Sequence, residues 1–165
     1  LDFVVGGVTD FTGDGKNDIL WRNTRNGRNV VWEMDDTSFQ QSIKIKRMKS
    51  QTWRIGGGGD FSGDDKADIL WRNTASGRNA VWHMNDTAFQ SSQAIKRVRN
   101  QAWQIAQVGD FTGDGKADIL WRHTGNGTNS VWQMNGTAFQ VGITLQSQPD
   151  QDWQIAGPLL GLWEA

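Results

Sequence analysis

Asp110, Thr112, Asp114, Lys116 and Asp118 stand at alternate positions of one nine-residue stretch, DFTGDGKAD. The odd positions of a tight loop can all turn toward one centre, and Asp puts a hard carboxylate oxygen there on a short stem. Ca²⁺ takes about 6–8 such oxygens at roughly 2.3–2.6 Å. The seventh position, Lys116, would give its backbone carbonyl and keep its side chain in water. Gly115 at the sixth permits the positive φ of a sharp turn. Three convergent carboxylates without a cation would repel and raise one another's pKa, and a divalent ion removes that cost.

The phrase is written three times. DFTGDGKNDILWR starts at Asp10, DFSGDDKADILWR at Asp60 and DFTGDGKADILWR at Asp110. Ten of the sixteen Asp residues lie in these three loops, so negative charge is gathered there rather than spread over the surface. Asp and Gly also fill ordinary hairpin turns. Three in-register copies with oxygen donors kept at every odd position favour a cation over a plain turn. The second loop has Asp65 where the others have Gly15 and Gly115, a substitution that Asp tolerates better than most residues because it visits the left-handed region.

What must position these loops is itself periodic. Trp21, Trp71 and Trp121 are fifty apart, as are Trp32, Trp82 and Trp132, and Trp53, Trp103 and Trp153. Each unit reads as short runs of β-branched and aromatic residues bounded by Gly, Asn, Asp and Ser, and no stretch shows a capped helical period. Four strands in about fifty residues match one blade of a β-propeller. The expected fold is all-β: one repeat domain over residues 1–165, with four-stranded blades at about 3–49, 53–99 and 103–148 and an extra strand at 153–157. Stacked blades would cover both faces of their inner strands, so ADILW reads as almost continuously apolar. Propellers close with about 4–8 blades. Three would leave two open flanks, so we expect either a longer chain or a ring closed by oligomerisation, a dimer of six blades above all, with strand 153–157 completing a blade across the seam.

With loops and blades together, D-F-T-G-D-G-K-x-D-I-L resembles the calcium loop of FG-GAP/VCBS repeats, the units of integrin-α-type β-propellers, and the resemblance covers nearly the whole chain. It implies one Ca²⁺ per blade, about three per chain, in the loop between a blade's first and second strands. The ligands it implies are Asp10, Thr12, Asp14, Lys16 (carbonyl) and Asp18; Asp60, Ser62, Asp64, Lys66 (carbonyl) and Asp68; and the set that opened this section, with Lys116 again through its carbonyl. Thr or Ser stands at the third position, where the family often has Asn or Asp, a weaker ligand. The ion's implied role is structural, and it fits a setting where calcium is millimolar: secreted or at the cell surface.

Catalysis finds little support. His83 and His123 occupy different repeat positions, and Glu33 and Glu164 are the only glutamates, so no base, nucleophile or acid pair is set apart. Recognition of a glycan or an extracellular protein is the expected role. A lectin with one sugar site per blade or blade junction, and an architectural domain of a larger secreted enzyme, are the alternatives. Trp32, Trp82 and Trp132 alternate with Val and Met and read as inter-blade core, as do Trp21, Trp71 and Trp121. Trp53, Trp103 and Trp153 follow polar turns at the end opposite the acidic loop. With Arg54, Gln104 and Gln154 beside them they are the candidate ligand platform, and otherwise they cap the core. The basic runs at 43–49 and 95–99 read as edge-strand protection. With net charge −1 they do not argue for nucleic acid, and no apolar run is long enough to span a membrane. The absence of Cys removes disulfides and thiolate sites. The chain begins at Leu1 without a signal peptide, which reads as a mature or excised form and leaves export open.

Overall fold

The structure is a computed structural model, and it describes residues 2–150 and 152–155. Twelve strands form three four-stranded antiparallel meanders in sequence order. Blade 1 holds β1 (Phe3–Thr9), β2 (Asp18–Asn23), β3 (Asn29–Asp35) and β4 (Ser38–Ile45). Blade 2 holds β5 (Trp53–Gly59), β6 (Asp68–Asn73), β7 (Asn79–Asn85) and β8 (Ala88–Ile95). Blade 3 holds β9 (Trp103–Gly109), β10 (Asp118–His123), β11 (Asn129–Asn135) and β12 (Ala138–Leu145). The innermost strands stand side by side, β1 against β5 and β5 against β9, and no comparable contact returns from β9 to β1 among the described residues. The fold is thus an open row of propeller blades. Trp153–Ile155 join no strand, and the rest of the expected strand at 153–157 lies outside the described residues. No helix long and apolar enough to cross a membrane occurs among the described residues.

Two-residue alternation explains the apolar second strands. In β6, Ile69 and Trp71 join Phe11, Leu20 and Val31 of blade 1 in one core. Leu70, one step over, joins Ile105, Ile119 and Trp121 of blade 3 in the next. All six residues of β6 are buried. Trp71 and Trp121 are 0% and 1% exposed. An aromatic side chain buries about 150–250 Å², worth roughly 4–6 kcal/mol at about 25 cal/mol/Å² as an upper bound. Each indole also meets the third-strand Trp of its own blade, with Trp71–Trp82 ring centroids 4.8 Å apart and Trp82–Phe89 5.2 Å apart.

In blades 1 and 2 an Arg is buried with this core, Arg22 at 1% and Arg72 at 4% exposure. Arg22 Nη1 donates to Asn29 Oδ1 at 3.1 Å, and Nη2 donates to the carbonyls of Met48 and Ser50 at 3.3 and 3.1 Å. These last two belong to the segment that carries the chain from β4 back to β5. The same guanidinium lies 5.0 Å from the Trp71 ring centre in the next blade. Arg72 repeats the arrangement on Asn79, Val98, Asn100 and Trp121. Burial pulls both guanidinium pKa values down to about 10, so both stay charged at neutral pH. Gly27 and Gly77, both at positive φ, seat the same connecting segment: an added Cβ would run into the carbonyl oxygens of Met48 and Val98.

The basic runs make contacts of their own. Lys46 and Lys96 sit just past the outer strands and reach across to the next blade, their Nζ atoms 3.3 Å and 3.5 Å from the Phe89 and Phe139 ring centres. Arg47 and Arg97 each donate from Nε, at 2.7 Å, to the carbonyls of Asn26 and Ser76 in the β2–β3 and β6–β7 turns.

Candidate functional site

Each acidic loop joins the first and second strands of its blade, at 10–17, 60–67 and 110–117. The left-handed conformation expected at the sixth position is present in Gly15 (φ 82°), Asp65 (φ 65°) and Gly115 (φ 81°). The first Asp organises the loop by accepting its backbone N–H groups. Asp10 Oδ1 accepts from Thr12 and Gly13 at 3.1 and 2.6 Å, and Oδ2 from Gly15 at 2.7 Å. Asp110 does the same with Thr112, Gly113, Asp114 and Gly115, which holds its carboxyl below the usual carboxylate range. Asp60 accepts from Gly63 and Asp65, and from the Ser62 hydroxyl at 3.2 Å. Asp14, Asp64 and Asp114 each take the N–H of the seventh residue, Lys16, Lys66 and Lys116.

The seventh residues keep their side chains out of the loop, as expected, though not simply in water. Lys16 pairs with Asp35, Lys66 Nζ lies 2.8 Å from Asp86 Oδ1, and Lys116 donates to Asn135 Oδ1 at 2.7 Å. The ninth residues have a second task that spacing did not reveal. Asp18, Asp68 and Asp118 are 0% exposed, and each spans from the loop to the third strand. Asp18 Oδ2 accepts from Phe11 N and Oδ1 from Met34 N, both at 3.0 Å. Asp68 binds the N–H groups of Phe61 and Met84 and also the His83 Nδ1 at 3.1 Å, and Asp118 those of Phe111 and Met134.

The fit to a cation rests on donor chemistry. Among the described residues no three carboxylate, imidazole or thiol groups gather closely enough to hold a metal by themselves. A shell here would need hydroxyl and carbonyl oxygens beside the carboxylates, ligand types that Ca²⁺ accepts. The first loop offers a free donor: Thr12 Oγ1 is buried and has no hydrogen-bond partner. Burial raises the Asp18 carboxyl above the usual range against the pull of its two N–H bonds, and the charges of Asp10 and Asp14 push the same way. Bound calcium would neutralise that charge and fix the loop.

The Trp residues at the far end divide. Trp53 and Trp103 are half-buried and pack against the two inter-blade cores, while Trp153 is 64% exposed. Arg54, Gln104 and Gln154 are all exposed. A cavity of about 190 Å³ lies beside Trp103, lined also by Val98, Trp121, Thr128, Ser130, Trp132 and Thr144. It includes Trp103 but not Gln104. Trp121 has a buried Nε1–H without an acceptor, as do Trp21 and Trp71 in the other blades. The cavity's hydroxyls were not singled out by sequence reasoning, yet a signal exists. Unit 3 has Thr128, Ser130 and Thr144 where unit 2 has Arg78, Ala80 and Ala94, and Ser130 faces Thr144 across the β11–β12 ladder. A wider, polar hollow of about 650 Å³ borders the third acidic loop, with Thr112, Asp114 and Lys116 in its wall.

The profile of the FG-GAP-like repeat matches residues 10–71 and again 60–121. No curated protein matches the chain. Among solved structures it is similar to a chain of a Photorhabdus luminescens Tc holotoxin pore carrying a point mutation, at 14% identity and TM-score 0.55. That likeness covers 87% of this chain but 7% of the toxin chain, and it speaks to the fold alone.

Proposed function

The chain belongs to the FG-GAP-like repeat family, and on that premise we propose that it is a calcium-stabilised, non-catalytic recognition module of the cell exterior that binds a carbohydrate between blades 2 and 3. The observation that carries the reading is the cavity beside Trp103, where the half-buried indoles of Trp103 and Trp132 meet three hydroxyls. A sugar ring presents an apolar C–H face, which stacks on indole, and a rim of hydroxyls, which need donors and acceptors. Ser and Thr hydroxyls serve as both. Because those hydroxyls occur in unit 3 and not at the same places in unit 2, one site per chain is favoured over a site in every blade.

Calcium enters as a staple. Asp10, Thr12, Asp14, the Lys16 carbonyl and Asp18 would hold the first ion, with the corresponding sets in the second and third loops, and the ion would lock the strand-to-strand turn at each blade's end. Sites of this kind load fully where calcium is millimolar, which supports an extracellular setting. The test is a glycan array followed by titration calorimetry in millimolar calcium. Binding should vanish in Trp103→Ala, and also in the triple change Thr128→Arg, Ser130→Ala, Thr144→Ala, which writes the unit 2 residues into unit 3 and keeps the fold. A blank array, or binding untouched by the triple change, would remove the cavity from consideration and leave a protein partner as the reading to pursue.

A further inference from the structure

Blades 1 and 3 each present half of a contact that the chain completes twice within itself. Phe11 and Phe61 are 0% exposed under the following blade, whereas Phe111 is 47% exposed. On the opposite faces Ile55 and Ile105 are 2% exposed and Val5 40%, and Trp82 is 4% exposed and Trp32 37%. Arg22 and Arg72 stack on Trp71 and Trp121. Among the described residues no indole lies under Arg122 and no guanidinium over Trp21. We propose that a second copy of this chain covers both open faces, head to tail, with blade 3 of each copy on blade 1 of the other. Two copies supply six blades, within the about 4–8 at which propellers close, and meet through two identical seams.

The residues at the seam are matched to each other. An added Cβ on Gly6 would lie 2.6 Å from Ile55 Cδ1, and one on Gly56 would lie 2.6 Å from Ile105 Cδ1. The next pair in this series is Ala106 against Val5 of the other copy. Ala brings the Cβ, and Val lacks the Cδ1 that the Cβ would strike. Gly13 and Gly63 lie under the side chains of Lys66 and Lys116, while Gly113 has open space around it, the place for Lys16 of the other copy. One contact is weaker by composition. Where Lys46 covers Trp82 and Phe89, and Lys96 covers Trp132 and Phe139, the seam offers neutral Gln146 to Trp32 and Phe39. Asp152–Ile155 correspond to Asp2–Val5, so they must yield their place to the incoming β1. Among the described residues they are held by the Arg122 bond to the Trp153 carbonyl at 3.0 Å and a turn from Asp150.

This inference stands apart from calcium and carbohydrate, and sedimentation equilibrium tests it without either readout. The chain in millimolar calcium should give twice its 18.5 kDa mass and dissociate on dilution. Arg122→Ala should dissociate at higher concentration. Gln146→Lys should restore the missing cation–aromatic contact and tighten the dimer, by about two- to five-fold per seam. Deleting residues 152–165 should leave the dimer as tight or tighter. A monomer at the highest soluble concentration overturns the proposal. So does a Gln146→Lys dimer no tighter than the parent, which would mean a different face is used, and so does loss of the dimer on deletion, which would place association in the tail.

Discussion

Arg72 is 4% exposed, a burial rare for a charged residue unless it is paired, and its partners say why it stays. Its guanidinium holds Asn79 in its own blade, the carbonyls of Val98 and Asn100 in the connecting segment, and the face of Trp121 in the next blade. Each hydrogen bond to a charged group is worth about 1.5–3 kcal/mol net, but desolvating the guanidinium offsets part of that sum. Replacing Arg72 by Met should therefore lower stability by about 2–4 kcal/mol, read from urea melts in calcium. Arg122 keeps the same blade contacts, to Asn129 and to the carbonyls of Gln148 and Asp150. Among the described residues no indole lies beneath it. At dilutions where the chain is monomeric, Arg122→Met should cost less than Arg72→Met, by the ~0.5–2 kcal/mol of a cation–aromatic stack. Equal costs would mean that the stack contributes nothing.

The acidic loop is two devices at the scale of the element, and two substitutions separate them. Asp14 Oδ1 accepts one N–H, from Lys16, and an amide oxygen can do the same. Asp14→Asn should leave the melting temperature in EGTA unchanged and weaken calcium binding by about tenfold or more, because affinity in such loops follows ligand charge. Asp18 has both oxygens under backbone N–H donors. Asp18→Asn turns an NH₂ group against one of those donors, so it should destabilise even the calcium-free fold, by about 1–3 kcal/mol. In the parent chain EGTA should lower the melting temperature, and calcium should restore it; a melting curve indifferent to calcium would reduce the loops to turns. The strands and the loop's place between them were legible because alternation and turn residues are local signals, and the fifty-residue period repeats them three times. The second task of Asp18 was not legible, since its partner Met34 lies sixteen residues away. The same holds for the clamp of Arg22, which reaches Ser50 in the connecting segment and Trp71 in another blade. Yet an Arg recurring inside an apolar strand at 22, 72 and 122 is a sign of a buried cation that a column-by-column reading of the units could have caught. The reach of Lys46 and Lys96 is not legible either, because nothing in one unit shows that the next unit's Trp and Phe lie within reach.

At the scale of the whole molecule, a row of blades in which each touches only its neighbours has a stability that is roughly a sum of blade terms and interface terms. Blade 2 has two interfaces and blades 1 and 3 have one apiece. The burial follows: β6 is buried throughout and β7 nearly so, whereas β3 and β11 are buried at only some positions. Hydrogen exchange reads such differences as local opening free energies. In dilute solution, protection should peak in β6 and β7 and fall toward β1 and β12. Raising the concentration until the dimer forms should slow exchange in β2, β3, β10 and β11, whose open faces become the seam, and leave blade 2 as it was. If all three blades exchange alike at every dilution, the chain opens as one cooperative unit and the additive picture fails. If blade 2 peaks but concentration changes nothing, the open flanks are stable as they stand, and the force that would close the ring is absent.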